Sequence, residues 1–178
     1  MEGRLDTAIV ALPVSEPGLT EVPLFAEEFL LVRPRADAGK PVPSSEMLRE
    51  MRLLLLEEGH CFRDQALSFC KMSPGVARDM MEGSSLSTLV QMVGAGIGVT
   101  LIPQMAIPIE TRSAEVAVTR LPAPRPSRTI GMVWRKTNPL ANQLEQITAC
   151  VREVAIAGTA PPHGFPVSVV PPPAPADP

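Results

Sequence analysis

Two cysteines nine positions apart, Cys61 and Cys70, stand in the one run of this sequence whose side chains favour chemistry over packing: Gly59-His60-Cys61-Phe62-Arg63-Asp64-Gln65-Ala66-Leu67-Ser68-Phe69-Cys70. A thiolate reacts with oxidants and a neutral thiol barely does, so a cation or hydrogen-bonding group beside a cysteine sets its reactivity. His60 precedes Cys61 and Arg63 follows two residues later, and both are placed to favour its thiolate or polarise an oxidant. Asp64 can accept the proton or orient Arg63; the plainer reading makes it a first-turn carboxylate that complements the helix dipole. Oxidation of a thiolate by peroxide yields a sulfenic acid, which a nearby thiol converts to a disulfide. Taken without the surrounding motif, the two cysteines read better as buried and inert thiols, the usual fate of free cysteine, and it is the motif that overturns this.

Spacing makes the segment a candidate switch. Across nine residues a continuous helix rises about 13.5 Å and turns half a rotation beyond whole turns, which sets the two sulfurs on opposite faces. A disulfide needs Cα atoms about 4.4 to 6.8 Å apart, so a helical segment has to unwind before it can be bridged. Closing a loop of this size is worth about 2.5 to 3 kcal/mol on the chain-entropy argument, comparable with the local structure it replaces.

The surrounding elements place the segment. Residues 53–56, four leucines, read as a buried strand ending at Glu57-Glu58-Gly59, so Cys61 falls where a strand's C-terminal end meets the next helix, the position at which open α/β sheets bind ligands. Residues 7–12 are a continuous apolar run that reads as a buried parallel strand, residues 13–23 a turn-rich connection, and residues 29–33 a second strand ending at Pro34. Residues 43–50 read as a short serine-capped helix, and residues 71–82 as irregular. Ser84 and Ser85 open an amphipathic helix with Leu86, Leu89, Val90 and Val93 on one side and a glycine stop at 94–96. Gly59, Ser84 and Ser85 are therefore candidates to line a ligand cleft, although Ser84 and Ser85 fit an ordinary cap as well. Strands follow at 97–102, 115–120 and 129–134; a last helix starts at Asn138-Pro139 with Leu140, Leu144, Ile147, Val151 and Val154 as a core or dimer stripe. Cys150, beside Val151, reads as core packing without a chemical role. Residues 158–178, rich in proline, read as a disordered tail.

Composition narrows the classes. A chain of 178 residues, 45% apolar and 20% charged, can bury a real core. Its net charge of −3 and the lack of a dense basic run give no reason to expect nucleic-acid contact by this chain alone. The longest apolar runs fall well short of the roughly 20 residues of a membrane span, and no signal peptide opens the sequence, which predicts a cytoplasmic protein without membrane contact. Three cysteines do not suit a disulfide-stapled secreted domain, and Cys61, Cys70 and His60 lack the CxxC spacing of a zinc site. No metal and no cofactor are expected.

These residues point to a family. His60-Cys61-Phe62-Arg63-Asp64-Gln65-Ala66 with Phe69-Cys70, then Ser85-Leu86-Ser87-Thr88-Leu89 with residues 94–103, and finally Arg128-Thr129-Ile130-Gly131-Met132-Val133-Trp134-Arg135, resemble the regulatory domains of hydrogen-peroxide-sensing activators of the LysR type. The glycine-rich helix-to-strand motif belongs to LysR-type effector domains generally; the cysteine segment is the discriminating part. The resemblance implies an α/β, two-lobed, type-2 periplasmic-binding-protein-like fold whose first lobe is incomplete here, with residues 1–27 and 136–157 in that lobe and 28–135 in the second. It implies that Cys61 is peroxidatic and Cys70 resolving, that the protein is a redox sensor and not an enzyme, and that it forms a dimer or tetramer. DNA contact is implied only through an N-terminal helix-turn-helix that this chain does not carry. A thiol peroxidase using the same cysteines, and a small-molecule effector domain with incidental cysteines, are the alternatives.

Overall fold

The computed structural model describes residues 5–72, 81–157 and 168–169. In chain order the strands are β1 (Thr7–Leu12), β2 (Leu19–Pro34), β3 (Leu55–Leu56), β4 (Glu82–Gly83), β5 (Thr100–Pro103), β6 (Val116–Arg120), β7 (Ser127–Arg135) and β8 (Ser168–Val169). The helices are α1 (Ser45–Glu50), α2 (Cys61–Phe69), α3 (Leu86–Gly94), α4 (Ile107–Glu110) and α5 (Ala141–Ala157). The chain divides into two units, Met1–Glu27 with Ser127–Pro178, and Glu28–Pro126.

In the first unit β1 runs antiparallel to β7, from Thr7 opposite Trp134 to Leu12 opposite Thr129. Two expectations change here. The strand at 7–12 is antiparallel, and it is only partly buried, with Ile9 57% exposed. Residues 127–135, expected with the second lobe, fall in the first unit, where residues 129–134 pair with β1. β2 also begins earlier than expected, at Leu19, and runs for 16 residues. Pro23 is accommodated because its fixed φ suits an extended strand, and its carbonyl accepts a 3.0 Å hydrogen bond from Arg152 Nε. Leu24, Phe25, Ile130, Met132, Trp134 and Leu144 form this unit's core.

Helix α5 splits its expected stripe. Leu144 is buried and Val151 half-buried against that core, whereas Leu140, Ile147 and Val154 are exposed. Cys150 is exposed too, contrary to the core role expected of it, because one residue along a helix turns the side chain about 100° away from Val151. The irregular stretch expected at 71–82 and the tail expected at 158–178 lie largely outside the described residues; Ser168–Val169, however, pair as β8 with Phe25 and Ala26 of β2.

In the second unit the C-terminal half of β2 is flanked by two antiparallel neighbours, β5 (Phe29 opposite Pro103 to Val32 opposite Thr100) and β6 (Leu30 opposite Arg120 to Pro34 opposite Val116). Leu53 forms a parallel bridge to Val99, and β3 lies parallel to β4 with Leu55 opposite Glu82 and Leu56 opposite Gly83. Leu53, Leu54, Leu55 and Leu56 are all buried, as a strand covered on both faces requires. Each of β3 and β4 leads within a few residues into a helix, α2 and α3 respectively.

Candidate redox site

Helix α2 owes its position to its buried face. Phe62, Arg63, Ala66 and Leu67 point inward, while His60, Cys61, Asp64 and Ser68 are exposed. Phe62 meets Phe29 of β2 edge to face, with ring centroids 4.8 Å apart and planes at 86°, which fixes the first turn against the sheet. The turn before the helix rests on Gly59, whose φ of +97° is one that side-chain-bearing residues rarely adopt. His60 is the N-cap residue, with φ −90° and ψ 117°, and its imidazole makes no capping bond.

Cys61 occupies the first helical position, with its side chain exposed and its thiol free. Asp64 and Gln65, three and four residues on, share its face of the helix. Gln65 Oε1 is buried and has no hydrogen-bond partner among the described residues, which leaves an acceptor near the thiol-bearing face. Arg63 takes a different part from the one expected. Two residues along a helix lie on nearly opposite sides, and the Arg63 side chain, 5% exposed, turns into the interior. There its Nη1 donates 2.7 Å to the Leu56 carbonyl and pairs at 2.6 Å with Glu82 Oε1. The guanidinium thus ties α2 to the C-terminal end of β3 and to β4, and its charge is answered by Glu82.

The cleft candidates separate in the same way. Ser85 Oγ accepts the Thr88 backbone N–H at 3.2 Å and lies 3.0 Å from the Thr88 hydroxyl, so it caps α3 in the ordinary manner. Ser84 is exposed. Because β3 and β4 are parallel neighbours, the N-termini of α2 and α3 leave from adjacent strand ends, the crevice position of an open α/β sheet.

Cys70 closes the other end of α2 as its C-cap residue and is 1% exposed. Burial pushes its thiol up to about 11, against a smaller opposing pull from the charge of Arg49. The nine-residue helix between the two cysteines sets them about 13.5 Å apart along its axis on opposite faces, so both thiols are free and bridging requires unwinding. Among the described residues no cluster of histidine, cysteine or carboxylate side chains is arranged to hold a metal. Also among them, no helix is long and apolar enough to cross a membrane.

Comparison with known proteins places this arrangement. The family described as LysR substrate binding domain matches residues 1–156. The chain belongs to that family. A protein of Streptomyces viridosporus named a probable hydrogen peroxide-inducible genes activator is 44% identical over 156 residues, covering 85% of this chain and 50% of that protein. The DNA-binding transcriptional dual regulator OxyR of Escherichia coli K12 is 40% identical over 154 residues, covering 84% and 50%. Among solved structures, the chain superposes on a hydrogen-peroxide-bound cysteine-to-serine variant of OxyR from Corynebacterium glutamicum with a TM-score of 0.77 and 33% identity, over 85% of this chain and 49% of that one. A reduced form of OxyR from N. meningitidis gives 0.80 and 28% identity, over 95% and 77%. The LysR substrate-binding domain is an α/β fold of the two-lobed periplasmic-binding-protein type, and this chain spans about half the length of the curated relatives it matches.

Two further residues belong to the site, Glu82 and Gln65. Glu82 reaches Arg63 only through the pairing of β3 with β4, and nothing local announces that contact. Gln65 carried a signal that was available, since four residues from Cys61 is one helical turn.

Proposed function

We propose that this chain is the redox-sensing regulatory domain of a LysR-type transcription regulator, responding to hydrogen peroxide through a Cys61–Cys70 disulfide. The observation that carries the reading is the pairing of an exposed thiol at the first position of α2 with a buried thiol at its cap. The names of the relatives support it, as does the likeness to OxyR structures. The two units correspond, in this reading, to the family's two lobes. The chain associates with copies of itself, in keeping with the exposed apolar residues of α5, and DNA contact belongs to an N-terminal helix-turn-helix segment.

The chemistry balances in two steps. The Cys61 thiolate attacks one peroxide oxygen; the S–O bond forms, the O–O bond breaks, and hydroxide leaves to take up a proton as water. The Cys70 sulfur then attacks the Cys61 sulfenic sulfur, forming the S–S bond and releasing the second oxygen as water with the thiol's proton. His60, next to Cys61 in the chain, and Asp64 and Gln65, on its face of the helix, are the side chains this reading assigns to hold the peroxide or its protons. Arg63 positions the helix through Leu56 and Glu82.

Peroxide stoichiometry tests this. The reduced chain should consume about one equivalent of hydrogen peroxide and then stop, and Cys61→Ser should abolish the uptake. Continued turnover with an added thiol reductant would identify a peroxidase instead. A metabolite that binds equally well after Cys61→Ser and Cys70→Ser would point to an effector domain with incidental cysteines.

A further inference from the structure

Helices α2 and α3 end in the same way, with one difference. At the end of α3, Gly96 N–H donates to Val93 O at 2.9 Å and Ile97 N–H to Met92 O at 3.1 Å, after the cap residue Ala95 at φ −76°, ψ 2°. At the end of α2, Lys71 N–H donates to Ser68 O at 3.0 Å and Met72 N–H to Leu67 O at 2.9 Å, after the cap residue Cys70 at φ −75°, ψ 0°. Both are Schellman stops, in which the residue after the cap takes the left-handed conformation and is usually glycine. In α3 that residue is Gly96, at φ +77°. In α2 it is Lys71, at φ +51°, where the Cβ crowds the backbone.

We infer that Lys71 is a positioning residue for disulfide formation: its left-handed backbone weakens the stop of α2 next to Cys70 and so eases release of that cysteine. The inference rests on the proposed Cys61–Cys70 bond. Cys70 is buried and has to leave its site to reach Cys61, and the last turn of α2 has to open for it to do so. A second feature favours opening at this end. A cavity of about 470 Å³, bordered by Ser44, Glu46, Ser68, Phe69, Lys71 and Pro124, lies against the same turn and gives it room to rearrange. Glycine at position 71 relieves the crowding and should lock the helix end. Asparagine, which tolerates the left-handed region, should do so in part.

The test follows both oxidation steps in the full chain under excess hydrogen peroxide, with samples quenched by an alkylating reagent and read by mass spectrometry. Lys71→Gly should form the Cys61 sulfenic acid at the unsubstituted rate and then close the disulfide about fivefold more slowly. Lys71→Asn should fall between, and Lys71→Ala, which keeps the Cβ and loses the ammonium, should match the unsubstituted chain. Closure in Lys71→Gly at the unsubstituted rate or faster would overturn the inference, as would equal slowing by alanine, which would assign the effect to charge. If the unsubstituted chain forms no Cys61–Cys70 bond at all, the underlying reading fails and takes the inference with it.

Discussion

The two ends of one helix hold thiols in opposite environments, and that contrast is measurable residue by residue. Cys61 and Cys150 are exposed, whereas Cys70 is buried and its thiol is raised to about 11. At pH 7 only about one Cys70 in ten thousand is ionised in the folded chain. Iodoacetamide at pH 7 should therefore label Cys61 and Cys150 and leave Cys70 intact, with Cys70 labelling rising about tenfold per pH unit toward pH 11. Labelling of all three at one rate at neutral pH would contradict the burial. The sign for stability follows from the same raised value. Below the ordinary cysteine value of 9.0 the thiol is neutral in both folded and unfolded chains, so its stabilising contribution is fully present there; it is lost as pH rises from 9.0 through about 11.

Helix α2 depends on the buried Arg63 guanidinium as well as on apolar contact. Arg63 joins it to the carbonyl of Leu56 and to Glu82, the latter 30% exposed. Arg63→Ala should lower stability by about 2 to 3 kcal/mol in urea unfolding, because it leaves the Leu56 carbonyl and the Glu82 carboxylate without their partner. An alanine variant as stable as the unsubstituted chain, with slowed peroxide uptake alone, would return Arg63 to the activating role that its sequence position suggested. That role shows where sequence reading stopped. Caps, stops and apolar periodicity are local, so Ser85 before α3, Gly96 after it and the buried leucines of 53–56 were legible. So was the stretch from Gly59 to Cys70 as the chemical centre. Which way Arg63 turns depends on the pairing of β3 with β4, which brings Glu82 to it from a separate strand, and the antiparallel β1–β7 ladder depends on residues more than a hundred positions apart. The left-handed Lys71 was equally hidden, because lysine carries no turn signal and only its backbone angle reveals the strain.

At the scale of the molecule, each unit carries its own apolar interior, and β2 is the strand whose two halves serve one unit each. The redox segment lies wholly within the second unit, 28–126, with the Phe29 and Arg63 contacts that seat it. Both thiols and the helix between them therefore belong to one continuous stretch of the chain, and the proposed switch rests on the bond that joins them. The measurement that tests it most directly is disulfide mapping of the full chain in a Cys150→Ser background, by proteolysis and mass spectrometry after one equivalent of hydrogen peroxide. A cross-linked peptide joining Cys61 to Cys70 within single chains is the expected result. Oxidation that stops at Cys61, with Cys70 recovered as a free thiol, would contradict the account.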